Sequence, residues 1–273
     1  MSTDTAPKFW RDPQLPFIEA RWVEDGRQVC YARHSHTVFS IGAVVAGTST
    51  YLHEKTSRTI SAGSVVLMNP GEVHACNPID DQPWSYVMMY VDAQWLAAVQ
   101  HSDEEGNGGQ AFQPLAASYC QSPALFRALL ALYGQLVDPA QASLPKHEAA
   151  VAFFVELQRL LGGAPLALKG VNPKVTRAAK YIDEHFLQTL RLADICEAAN
   201  LSEAYLIRAF EQHYHMTPHA YLINRRIQHG QAQLRQGASI AQTALDTGFA
   251  DQAHFQRVFK KHLAATPGQY KPQ

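Results

Sequence analysis

The chain has 273 residues, 47% of them hydrophobic and 17% charged, with a formal net charge of −1. That length suffices for two domains with cores of their own. No apolar run approaches the ~20 residues that span a bilayer, and Met1 to Arg11 has no signal-peptide core, so a cytoplasmic protein is expected. Cys30, Cys76, Cys120 and Cys196 form no Cys-x-x-Cys pair and are expected as reduced core residues. The near-zero charge hides a division. Residues 1–172 hold 11 Lys/Arg against 16 Asp/Glu, a net −5, whereas residues 173–273 hold 12 against 8, a net +4.

The segment 1–16, with Pro7, Pro13 and Pro16 around Phe9-Trp10-Arg11, reads either as a mobile arm or as a strand packed on the surface. Short β-type runs follow at 17–23, 28–32, 38–45, 49–52, 58–60, 64–68 and 84–90, broken at Asp25-Gly26, Gly47, Gly63, Pro70-Gly71 and Asp80-Asp81. Seven short strands at this spacing predict a closed or sandwiched β structure. A polar loop is expected at 101–114. Two helices follow, 122–137 with an apolar stripe through Leu125, Leu129, Leu132 and Leu136, and 145–161 with Val151, Phe153, Phe154, Leu157, Leu160 and Leu161. The breaker-rich stretch 162–173 reads as a linker.

Beyond it lies an all-helical pattern. A helix over 174–186 turns Val175, Ala178, Ala179 and Ile182 inward, and another over 218–235, capped by Thr217 and ended by Gly237, joins two similar units. In the second unit, Ile240, Ala244 and Leu245 recur at helical spacing, Gly248 supplies a left-handed turn, and Asp251 can cap a helix whose inward stripe is Phe255, Val258 and Phe259. Gln252, Ala253, Gln256 and Arg257 face outward, with Lys260 and Lys261 at the end, a composition suited to a DNA major groove. The first unit repeats the pattern. An offset of 49 pairs Ser202 with Asp251, Arg208 with Arg257, Phe210 with Phe259, Thr217-Pro218 with Thr266-Pro267 and Tyr221 with Tyr270, and Asn200 stands in the turn where Gly248 does.

Gly248-Phe249, Phe255-x-x-x-Phe259-Lys260 and Thr266-Pro267-x-x-Tyr270 make the last hundred residues resemble the AraC/XylS family of transcription regulators. His215 and Ala264 stand where that family has glycine before each Thr-Pro, and Gly230 where its linking helix has alanine. His34-Ser-His36 and Asn69-Pro-Gly-Glu-Val-His74 resemble the two halves of the cupin found as the sensor of such regulators. The resemblance implies an α+β chain of two domains: a cupin-like β-barrel with two C-terminal helices over 1–161, serving effector binding and dimerisation, a linker over 162–173, and a double helix-turn-helix DNA-binding domain over 174–273. It places base contacts on Ala204, Ile207 and Arg208 and on Gln252, Ala253, Gln256 and Arg257. It also implies a homodimer through 122–161, double-stranded DNA as partner, an activator role, and leaves RNA polymerase open as a further partner.

His34, His36, His74, Trp84 and Tyr86 are the candidate effector site: a few polar groups and aromatic faces inside an apolar barrel. His34, His36 and His74 also match three cupin metal ligands, but the carboxylate expected after His36 is missing. The expectation is therefore a small-molecule effector, no cofactor and no catalysis. Two rivals stay open: control by a protein partner, and a metal-binding cupin sensor or enzyme fused to DNA-binding helices.

Overall fold

A computed structural model describes residues 6–101, 111–162 and 172–272. The polar loop and most of the linker expected from the sequence lie outside these residues. The strands are β1 (Lys8–Arg11), β2 (Ile18–Val23), β3 (Phe39–His53), β4 (Thr56–Ser61), β5 (Val65–Met68), β6 (His74–Pro78), β7 (Trp84–Val91) and β8 (Tyr119–Cys120). All pairings among them are antiparallel, in the order β1-β2-β7-β3-β5-β8, with β4 and β6 also paired to β3.

The 15-residue β3 belongs to two sheets. Its first half pairs β7 and β5, and its second half pairs β4 and β6. The sequence reading split this strand at Gly47; instead the ladder carries an irregularity between Val44 and Ala46 and continues, so the chain changes sheets without leaving the strand. The run at 28–32 forms no strand, and Cys30 within it is exposed, against the expectation of a core cysteine. Residues 8–11, by contrast, are a strand paired with β2, and the helix α1 (Ala93–Gln100), capped by the Asp92 carboxylate, was not foreseen.

Alternation along the strands sorts the side chains into two cores. Ile18, Ala20, Val65, Leu67, Val87, Met89 and Val91 point to α1 and to α2 (Pro123–Val137) and α3 (Ser143–Leu161). Val23, Val66, Met68, Trp84, Tyr86 and Met88 point the other way, into the space enclosed with Tyr51 and Ile60 of the second sheet. On α3 the inward set is Ala150, Phe153, Phe154 and Leu157. Leu160, expected to widen that face, is exposed, as are Leu144 and Val155.

The helical part comprises α4 (Pro173–His185), α5 (Leu192–Ala199), α6 (Glu203–Tyr214), α7 (Pro218–Arg235), α8 (Ile240–Asp246), α9 (Gln252–Leu263) and α10 (Pro267–Tyr270). Two cores flank α7: one built on Val175, Ile182, Ile195, Leu206 and Phe210, the other on Ile227, Leu234, Phe249, Phe255, Phe259 and Tyr270. Gly230, where a helix former would favour the isolated helix by about 1 kcal/mol, has a packing reason. A Cβ there would lie 3.0 Å from the Phe255 ring, so its absence lets α9 approach α7.

Both units leave their second helix through a non-glycine residue in the left-handed region, His215 at φ 56° and Ala264 at φ 50°. This strain costs of order 1 kcal/mol at each. His215→Gly is therefore expected to hold or raise the melting temperature, despite the loss of a 3.6 Å contact with Glu54. A marked fall in a thermal melt would show instead that the His215 side chain outweighs the strain.

Candidate DNA interface and ligand cavities

The two helix-turn-helix units are α5-turn-α6 and α8-turn-α9. Asn200 (φ 51°) and Gly248 (φ 73°) make the turns in the left-handed conformation. Asp251 caps α9 by accepting the His254 amide at 2.7 Å, whereas Ser202 makes no side-chain cap on α6. In the first unit Leu206 and Phe210 are buried, leaving Ala204 and Arg208 exposed and Ile207 half-buried. In the second, Phe255 and Phe259 are buried, leaving Gln252, Ala253 and Arg257 exposed and Gln256 half-buried. The candidate base readers thus share the solvent face of each second helix, and Lys260 and Lys261 add charge at the end of α9.

Arg226 of α7 is a residue that sequence reasoning missed. Its guanidinium donates to the carbonyls of Phe186 (2.7 Å), Gln188 (2.8 Å) and Gly248 (2.7 Å). It pins the turn of the second unit to the segment after α4, fixing one unit against the other. Nothing in its sequence position separates it from neighbouring Arg225, which pairs with Asp183 at 2.8 Å.

Inside the β part, His34, His36, His74, Trp84 and Tyr86 converge as expected and line one cavity with Tyr31, Val66 and Met88. Its free space is only about 30 Å³, room for water and not for a metabolite without rearrangement. Trp84 stacks on Tyr86 at 4.5 Å, and its indole N–H is buried without an acceptor. The Tyr31 and Tyr86 hydroxyls are 2.7 Å apart.

His34 and His74 are tied by their Nδ1 atoms to the Ala32 and Glu72 carbonyls, at 2.8 and 2.9 Å, which aims both Nε2 atoms elsewhere. The potential ligand atoms of the three imidazoles lie within 4.8 Å of one another. Burial pushes the pKa values of His34 and His36 well below the usual histidine range and that of His74 down to about 4, so all three are neutral at pH 7. Three neutral imidazoles, two of them oriented through Nδ1, fit a three-histidine Zn²⁺ site in donor type, and the cluster brings no carboxylate.

A larger cavity, about 140 Å³, lies where the β part meets the helices. Glu19, Arg21, Tyr31, His36 and Tyr90 line it from one side and Gln228, Gln231, Arg235, Leu263 and Tyr270 from the other. The surrounding contacts are numerous. Arg21 Nη1 donates to the Leu263 carbonyl (2.6 Å) and the Ala32 amide to the Lys261 carbonyl (2.7 Å), both at the C-terminal end of α9. From α7, Gln228 donates to the Ser35 carbonyl (2.8 Å), Asn224 to the Ser35 hydroxyl (3.1 Å), and Arg235 to Glu19 (2.8 Å). Arg11 of β1 donates to Glu19 and to the Tyr270 carbonyl, at 2.6 and 2.7 Å. Near α6, Arg208 shares an open cleft with Glu54 and Lys55 of the β3–β4 hairpin.

A sandwich of antiparallel sheets joined to paired helix-turn-helix units defines a DNA-binding regulator with a sensor part. Residues 195–273 match the helix-turn-helix domain model, and residues 23–157 match the AraC-like ligand binding domain model. The chain belongs to the AraC family of transcription regulators. It is 26% identical over 249 residues to the uncharacterized HTH-type regulator YbfI of Bacillus subtilis, covering 89% of this chain and 87% of that one. It is 25% identical over 250 residues to the activator RhaS of Salmonella schwarzengrund, covering 88% and 87%. In fold it is similar to ToxT of Vibrio cholerae. An apo variant gives a TM-score of 0.56 at 16% identity, covering 93% of this chain and 96% of that one. The wild type solved with an unsaturated fatty acid gives 0.54 at 15% identity, covering 99% and 96%.

Proposed function

We propose that this regulator is a small-molecule-responsive activator in which residues 1–161 sense the effector and residues 174–273 read DNA. The observation that carries the reading is the cavity between the two parts: its walls come from β strands on one side and from α7, α9 and α10 on the other. A molecule bound there changes the contacts that seat the second helix-turn-helix unit, and so changes the affinity for DNA. The identity of RhaS as an activator supports the sign. Activation in turn makes RNA polymerase a partner, in the cytoplasm where both act.

Base reading falls to Ala204, Ile207 and Arg208 in α6 and to Gln252, Ala253, Gln256 and Arg257 in α9. The arginines suit guanine or phosphate, the glutamines adenine, and the apolar groups a thymine methyl. A net +4 over residues 173–273 is modest for DNA, which favours a dimer binding two half-sites. Exposed Leu144, Val155 and Leu160 on α3 make the 122–161 helices the expected dimer face. Arg257→Ala is expected to weaken operator binding by about 1–3 kcal/mol in a titration with duplexes selected from a random pool, with its melting temperature unchanged. Equal affinity in the variant would remove Arg257 from the reading face.

A further inference from the structure

Arg21 is an arginine that sequence reasoning had no cause to single out. It alternates with Ala20 and Trp22 along β2, only 2% exposed, on the strand face opposite Ile18 and Ala20. One nitrogen, Nη1, is satisfied by Leu263. The other two, Nε and Nη2, are buried with no carboxylate or carbonyl acceptor; the hydroxyls of Tyr31, Tyr86 and Tyr90 surround the guanidinium, and Tyr90 interacts with it without reaching full hydrogen-bond geometry. Phe9 and Tyr31 rings lie 5.3 and 5.7 Å from the guanidinium carbon.

The charge around it is also uncompensated. Arg21 and Arg235 line this cavity with Glu19 as the carboxylate among its walls, and Glu19 is taken by Arg235 and by Arg11, which stands behind it. Three cations against one anion leave a formal +2. Arg11 Nη2 is a further buried donor without a partner. A buried guanidinium whose Nε/Nη2 edge lacks an anionic partner is the group that a carboxylate satisfies with two parallel hydrogen bonds once Tyr90 gives way to it.

We propose that the effector is a small organic monocarboxylate whose carboxylate binds the Nε/Nη2 edge of Arg21 and whose apolar body lies between Phe9, Tyr31, Tyr90 and Tyr270. The proposal rests on the small-molecule reading above and supplies its chemical class and place. About 140 Å³ matches the ~150 Å³ cavity that admits a benzene-sized molecule. The site explains why the cavity is built across the joint: the same guanidinium holds the end of α9 through Leu263, so the ligand touches both parts at once.

The test is calorimetric titration of the full chain with benzoate and hexanoate, beside benzamide as the neutral isostere of benzoate and inorganic phosphate as a bare anion. Binding of one or both carboxylates, with benzamide at least about tenfold weaker, is expected. Arg21→Met is expected to lose about tenfold to a hundredfold in affinity. Because that variant also removes the Leu263 contact, Ala232→Phe is the second variant: Ala232 of α7 lines the cavity, so the larger ring fills it and leaves Arg21 in place, and binding is expected to be lost with the unfolding midpoint retained. Equal binding of benzamide, binding of phosphate alone, or full carboxylate affinity in Ala232→Phe would each overturn the proposal. If the carboxylates fail but a neutral metabolite raises the melting temperature, the monocarboxylate assignment falls and small-molecule control stands. If no small molecule in a broad screen does so, both fall.

Discussion

Replacing Phe259 with alanine is expected to cost about 3–5 kcal/mol of stability in the helical part and to abolish DNA binding through the second unit. Phe259 is fully buried, its ring 5.4 Å from Phe255 and 5.5 Å from Tyr270. It is the inward anchor of the helix that carries Gln252, Gln256 and Arg257 outward. Truncation leaves a cavity that these aromatic neighbours cannot close without moving α9 against α7, where the Phe255 ring already packs over Gly230. Gln256→Ala on the same helix is expected to change stability by less than about 0.5 kcal/mol. Denaturant unfolding of both variants is the check. A loss below about 1 kcal/mol for Phe259→Ala would mean that α9 is held mainly by its contacts with the β part, through Lys261 and Leu263.

Mild acid is expected to destabilise the β part. His34, His36 and His74 are buried neutral, with pKa values depressed by desolvation, His74 to about 4. An unfolded chain takes up protons at these histidines below about pH 6.5; the folded chain follows at His74 only as the pH approaches 4, and at His34 and His36 only well below the usual histidine range. The stability they contribute is therefore complete above pH 6.5 and lost as the pH falls. For His74 alone the loss at pH 5 is about 2 kcal/mol, with His34 and His36 adding to it in the same direction. Melting curves at pH 7.5 and 5.0 should show the drop, and His74→Gln should reduce it. An equal midpoint at the two values would show that the cluster accepts protons while folded.

The helix-turn-helix units were legible because each depends on local rules that repeat. A left-handed turn at Asn200 or Gly248, a cap-type residue at Ser202 or Asp251, of which only Asp251 closes a side-chain cap, and an aromatic stripe at helical spacing can be read one residue at a time, and the repeat presents them twice. The strands were legible where alternation is strong, as at 84–91. Gly47 misled because glycine marks a bend in a strand as readily as its end. Motif brought His34, His36 and His74 together and strand position added Trp84 and Tyr86, and the five do line one cavity, but neither signal carries information about volume; that Trp84 and Tyr86 stack and fill the interior follows from packing. Least legible was the joint. Arg21, Asn224, Gln228 and Arg235 lie in segments whose own patterns are complete without them, and their partners sit more than 180 residues away in sequence. Pairings at that distance leave no periodicity to find.

The 18-residue α7 has two allegiances. Through Arg226 and its flanking cores it is the ruler that sets the distance between two reading heads; through Asn224, Gln228 and Arg235 it is the shelf on which the sensor rests. Ruler and shelf being one rod, the sensor cannot shift on it without acting on the part that measures DNA. Nor does a signal need a chain of intermediate residues to cross from one half of the protein to the other. A substitution on α7 answers to both demands at once, and its two faces should tolerate less change than either demand alone would impose.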